Sequence, residues 1–108
     1  MIIPKDAEIA IEKVRDYLLV PQRKSDKSKY LSFVGYTRDE FWELMRDLRE
    51  LLPAEATLQG ETEFGRKYSA RAILTGPNGK CIAVRTIWED NRIDGWKIIT
   101  LIPERRTR

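Results

Sequence analysis

A chain of 108 residues with 42% hydrophobic and 34% charged content suits one globular domain and is too short for two. One cysteine and no histidine exclude an internal disulfide and remove the commonest zinc ligand and the commonest general acid–base. The net charge of +3 is unevenly spread: residues 66–108 carry ten Lys/Arg against four Asp/Glu, whereas residues 30–65 carry three against eight. Such a split suits an anionic partner on one side and a cationic one on the other.

In chain order, Ala7, Ile9 and Ile11 alternate as an extended start, and Val14, Tyr17 and Leu18 follow at helical spacing. They predict a short helix over residues 12–19, ended by Pro21. Residues 20–28 read as a polar, basic loop, followed by a helical turn over Lys29–Val34 that Gly35 stops. Thr37 and Glu40 have the spacing of a capping box. Phe41, Leu44, Met45, Leu48 and Leu52 then mark the apolar face of a helix that Pro53 ends, and this stripe is expected in the core.

From Ala54 the period changes to two. Strands are expected over 56–62, 66–75, 80–89 and 96–102, with a bend at Phe64-Gly65 and Pro103 as the close. Gly76-Pro77-Asn78-Gly79 reads as a hairpin turn with positive φ at both Asn78 and Gly79. Cys81, inside the run Cys81-Ile82-Ala83-Val84, is expected in the core. The outcome is one α+β domain over 1–108: a helical half (1–53), an antiparallel sheet (54–103) and a basic tail (104–108). The helices should pack on one face of a roughly four-stranded antiparallel sheet. No run approaches the roughly 20 apolar residues of a membrane span, and the N-terminus lacks a signal-like apolar run, so a cytoplasmic protein without membrane contact is expected.

No phosphate-binding loop, dinucleotide fingerprint or nucleophile elbow is present. Two basic clusters remain. One is the loop with Arg23, Lys24, Lys27 and Lys29. The other is Arg66, Lys67, Arg71, Arg85 and Lys97, interleaved with Tyr68, Trp88 and Trp96. Cations fix phosphates and aromatics stack on unpaired bases, so the composition suits single-stranded RNA; it equally suits solvated strand faces. Cleavage at a 2′-hydroxyl needs a base, positive charge at the phosphate and a proton for the leaving oxygen. Lysine or tyrosine in a cationic neighbourhood, arginine, and Glu61 or Glu63 near Arg66 supply those groups. Three readings stay open: an endoribonuclease, a non-catalytic nucleic-acid or ribosome-binding module, and a protein-interaction module of antitoxin or immunity type.

An ordered series of short segments then stands out. It comprises Tyr17-Leu18-Leu19; Lys27-Ser28-Lys29-Tyr30-Leu31 with Gly35-Tyr36, Trp42 and Leu44; Thr62 to Tyr68; Leu74 to Gly79; Val84 to Trp88; and Thr100 to Pro103. The series resembles a family of small bacterial, often cyanobacterial, toxin-like domains. Their helix-then-four-strand layout is similar to the barnase–EndoU–colicin–RelE group of ribonucleases. The resemblance implies a toxin-type domain of a bacterial toxin–antitoxin pair, a metal-independent endoribonuclease that needs no cofactor, with RNA and a cognate antitoxin protein as partners. By position it implies Lys27, Tyr68, Thr86 and Thr100 as catalytic residues, and Lys29, Arg66, Lys67 and Arg85 as RNA- or phosphate-binding ones. Gly65 and Trp88 also match, as a bend and a core plug would, whereas Arg85 departs from the usual pattern. The four catalytic candidates are expected to converge in one concavity on the sheet face away from the main helix, with Arg66, Lys67 or Arg85 at its rim.

Overall fold

The computed structural model describes residues 1–23 and 26–104. The first strand, β1 (Ile2–Ile3), is followed by α1 (Ile11–Lys13), which runs directly into a π-helical turn over Val14–Leu18. Next come α2 (Ser28–Phe33) and α3 (Phe41–Glu50). The second half supplies β2 (Ala54–Glu55), β3 (Thr57–Thr62), β4 (Gly65–Thr75), β5 (Cys81–Asn91) and β6 (Gly95–Pro103). The last four form an antiparallel meander in the order β3-β4-β5-β6, and the helices cover one of its faces, as the change of period at Ala54 predicts. Lys24, Ser25 and the basic tail at 105–108 lie outside the described residues.

The N-terminal segment ties both sides of the sheet. β1 pairs antiparallel with β2, the short segment leading into edge strand β3. Glu8 then bridges in parallel to Lys97 of β6, the opposite edge strand: its N–H donates to Trp96 at 2.8 Å and its carbonyl accepts from Ile98 at 2.9 Å. Between these points the strap passes α3, whose Arg49 guanidinium donates to the carbonyls of Lys5 and Ala7.

Strand register divides the sheet side chains. Directly opposed residues of antiparallel strands share a face. The pairs Tyr68–Trp88, Ala70–Thr86, Leu74–Ile82 and Thr86–Leu101 therefore build the inner face. Against it pack Val14 and Leu18 of the π turn, Leu31 of α2, and Leu44 and Leu48 of α3, all fully buried. Phe41 and Met45 are half-buried at the border of this core. Thr37 Oγ1 accepts the Glu40 N–H at 3.3 Å, which is one half of the expected capping box.

The hairpin turn and Cys81 differ from expectation. Gly79 N–H donates to Gly76 at 3.0 Å, and Gly76 N–H donates to Lys80 at 2.9 Å. Pro77 and Asn78 are thus the central residues of the turn, with Gly79 (φ +85°) the left-handed residue after it. This is the three-residue loop with a glycine bulge, which Pro77 favours by fixing a negative φ at the first central position. Cys81 is exposed, because only alternate residues of Cys81-Ile82-Ala83-Val84 point inward; its thiol lies 3.2 Å from Thr75 Oγ1.

Candidate functional site

The outer sheet face is built in rows set by register. Lys67, Glu89 and Lys97 form one row; Ser69, Ile87 and Thr100 the next; Arg71, Arg85 and Ile102 the third. Successive rows on one face lie about 7 Å apart along a strand. Four cations thus face the same side, tempered by two carboxylates. Glu89, almost fully buried, lies 3.9 Å from Lys97 Nζ and accepts from Asn91. Glu104 bridges Arg71 and Arg85.

Thr100 joins this face through a bulge. Trp88 opposes Ile98 and Ile87 opposes Thr100, which leaves Ile99 as the extra residue of β6. Without that extra residue Thr100 would take the opposite parity. Beside Thr100 lies Tyr17, half-buried on the π turn. The turn is formed by the Leu19 N–H reaching back five residues to Val14, and π turns recur at functional sites. Lys27 Nζ donates to the Tyr17 hydroxyl at 3.2 Å, and the ammonium groups of Lys13 and Lys27 lie 5.1 and 5.3 Å from the Tyr17 ring centroid. The Lys27 hydrogen bond above all, with its charge, Thr100 and Lys13 in support, holds the Tyr17 phenol below its ordinary pKa despite partial burial. A phenol that ionises more readily, next to an ammonium and a hydroxyl, is equipped to exchange protons.

The candidates from sequence therefore separate. Lys27 and Thr100 meet, through Tyr17. Lys67 and Arg85 share the outer face with Thr100. Lys29 is exposed on α2. Tyr68 and Thr86 face inward, which corrects the expectation of a single concavity on the outer face. The Thr86 hydroxyl donates to the Ala70 carbonyl at 3.0 Å and accepts the indole N–H of the fully buried Trp88 at 2.8 Å. Tyr68 packs on Trp96, with ring centroids 5.0 Å apart, and its hydroxyl reaches the exposed Arg66, whose pKa that bond raises. Arg66 also pairs with Glu61 at 3.0 Å, at the strand end and on the inner parity. Tyr17 was hidden in sequence because it shares the apolar spacing of Val14 and Leu18. Lysines at 13 and 27 are the signal that sets it apart.

Among the described residues no helix is long and apolar enough to cross a membrane. Comparison with known proteins gives a match over residues 4–105 to the family described as Domain of unknown function (DUF6883). No curated protein matches the chain. Among solved structures, a chain of a contact-dependent growth inhibition toxin–immunity protein complex from Klebsiella pneumoniae 342 is similar in fold. Its TM-score is 0.62 at 14% identity, covering 89% of this chain and 98% of that one.

Proposed function

The chain belongs to the DUF6883 family, and from that premise we propose that it is a toxin-type domain of a bacterial toxin–antitoxin or toxin–immunity pair, acting on RNA as a metal-independent endoribonuclease. The observation that carries this reading is the contact of Lys27 with a Tyr17 phenol of lowered pKa, beside Thr100 at the border of a cationic sheet face. A shared fold with a chain from a toxin–immunity complex supports it at the level of architecture.

In this reading the outer-face cations, Lys67 and Arg85 among them, hold the phosphates of a single strand, whereas Lys29, exposed on α2, and Arg66, on the inner parity, lie off that face. Tyr17, in its phenolate form, takes the 2′-hydroxyl proton as the 2′-oxygen attacks phosphorus. Lys27 supplies a proton to the departing 5′-oxygen, and Thr100 orients the phenol. Tyr68 and Thr86 act from behind the sheet, positioning Arg66 and Trp88.

The test uses the purified protein with a single-stranded oligoribonucleotide in excess chelator. Cleavage leaving a 2′,3′-cyclic phosphate is expected. Tyr17→Phe and Lys27→Ala should each reduce it by at least 100-fold, the range of a lost general acid or base, with unchanged melting temperatures. Binding without cleavage in the parent protein would replace the enzyme by a non-catalytic RNA-binding module. Absence of both, with no effect on growth when the domain is expressed in a bacterial host, would leave a protein-interaction module.

A further inference from the structure

Arg71 and Arg85 are directly opposed across β4 and β5. Like charges at directly opposed sheet positions repel and destabilise the pairing. Here the repulsion is offset by a carboxylate arriving from beyond β6. Glu104 Oε1 lies 3.3 Å from Arg71 Nε, and Oε2 lies 3.5 Å from an Arg85 terminal nitrogen. The Glu104 N–H donates to the Ala83 carbonyl at 2.8 Å, which holds the backbone where its side chain spans both guanidinium groups. A two-oxygen anion between two planar forks is the geometry by which arginine recognises either a carboxylate or a phosphate.

Arg71 and Arg85 also line a groove of about 510 Å³ on the outer face, together with Thr57, Gln59, Ser69 and one acidic residue, Glu55. Its hydroxyl and amide groups suit the sugar and phosphate edges of a nucleic acid strand more than an apolar ligand. Arg71 has a side chain 75% exposed, while that of Glu104 is 24% exposed. The cations can therefore be reached from solvent, and the carboxylate sits between them as an internal occupant.

We propose that the Arg71–Arg85 pair is a phosphate-binding subsite for one phosphodiester of a single RNA strand, and that Glu104 occupies it as a built-in competitor until RNA displaces it. The identity of the ligand rests on the function proposed above. The competition itself rests only on the arrangement of the three side chains.

The experiment measures binding of inorganic phosphate and of a short, fluorescently labelled oligoribonucleotide to the parent protein and to Glu104→Gln. The same titrations use Arg71→Ala and the double variant Arg71→Ala/Glu104→Gln. Glu104→Gln keeps the side-chain length and removes the competing charge. It should tighten both ligands by roughly two- to fivefold, the scale of an exposed ion pair. It should also steepen the salt dependence of oligonucleotide binding by about 0.7, one phosphate's worth. Arg71 is exposed, so Arg71→Ala retains the fold, weakens both ligands and shrinks the effect of Glu104→Gln in the double variant. Unchanged affinity for phosphate and RNA in Glu104→Gln, or an equal gain with and without Arg71, would overturn the subsite. Tighter phosphate binding in Glu104→Gln without any RNA binding by any variant would uphold the competitor and overturn the RNA reading instead.

Discussion

Tyr17 and Tyr36 carry the same side chain into opposite electrostatic settings. Tyr17 receives a hydrogen bond from Lys27, which favours the phenolate and lowers its pKa. Tyr36 is fully buried and donates to Asp47 Oδ2 at 2.5 Å; burial, with that carboxylate, pushes its pKa well above the ordinary range. Absorbance titration at high pH should therefore show one of the four tyrosines ionising below the usual value of about 10 and one resisting ionisation. Tyr17→Phe should delete the early step, and Lys27→Ala should move it back up. A depressed acid pKa stabilises the fold above the unfolded pKa and loses that contribution as pH falls through the folded one. The gain from Tyr17 thus accrues between its lowered pKa and about 10. Thr86 belongs to the same scale. Thr86→Val strips a buried indole N–H of its acceptor and should cost about 1–3 kcal/mol in denaturant unfolding, while Thr86→Ser, which keeps the oxygen, should cost less. Thr86 shares the parity of Val84 and Trp88, and that pattern, against the expected outer-face concavity, sets the face it takes. A resemblance of segments names positions without saying which way they point.

At the scale of elements, the hairpin tip is the joint between the two halves of the chain. Asn78 Nδ2 donates to the Phe33 carbonyl at 3.0 Å and Asn78 N–H to Val34 at 3.3 Å, so the tip is pinned to the end of α2. A Cβ at Gly76 would lie 1.9 Å from the Val34 carbonyl oxygen, whereas one at Gly79 would meet nothing within 4 Å. Gly76→Ala should therefore cost about 1–3 kcal/mol through overpacking against backbone. Gly79→Asn, at a left-handed position that asparagine tolerates, should cost much less; comparing their urea midpoints checks both. α3 and the β4–β5 hairpin were legible because their periods are unbroken over ten or more residues. The bulge at Ile99 was not, since Ile98-Ile99-Thr100-Leu101-Ile102 contains an apolar residue at almost every position and alternation cannot reveal which one is extra. Nor was the π turn, because one i to i−5 hydrogen bond leaves no compositional trace. The proposed site stands on both of these irregularities, which is why the sequence showed its cations more readily than its tyrosine.

For the whole molecule, the charge asymmetry becomes two sides of one body. The acidic excess of residues 30–65 includes α3, on the covered face of the sheet, while Lys67, Arg71, Arg85 and Lys97 project from the other. A cationic track on one face predicts strongly salt-dependent RNA binding. Log affinity should fall with log salt at roughly −0.7 per phosphate neutralised. Lys67→Ala should reduce that slope by about one phosphate, read by fluorescence anisotropy between 50 and 200 mM salt. A reversal of α3 charges such as Glu43→Lys should leave the slope almost unchanged.

The N-terminal strap sets an order in time as well as in space. Ile3 sits opposite Ala54 and Glu8 opposite Lys97, so a stretch of a few residues cannot settle until strands more than fifty and nearly ninety positions later have formed. Closing such long loops is entropically slow, and contacts made after the folding barrier show up in unfolding alone. Ile3→Ala, which empties a fully buried site, should accelerate unfolding in stopped-flow measurements and leave the refolding rate nearly untouched. On a ribosome, the same strap would remain unfastened until β6 had emerged, so the Tyr17 segment that follows it would reach its place beside Thr100 only after nearly all of this domain had been made.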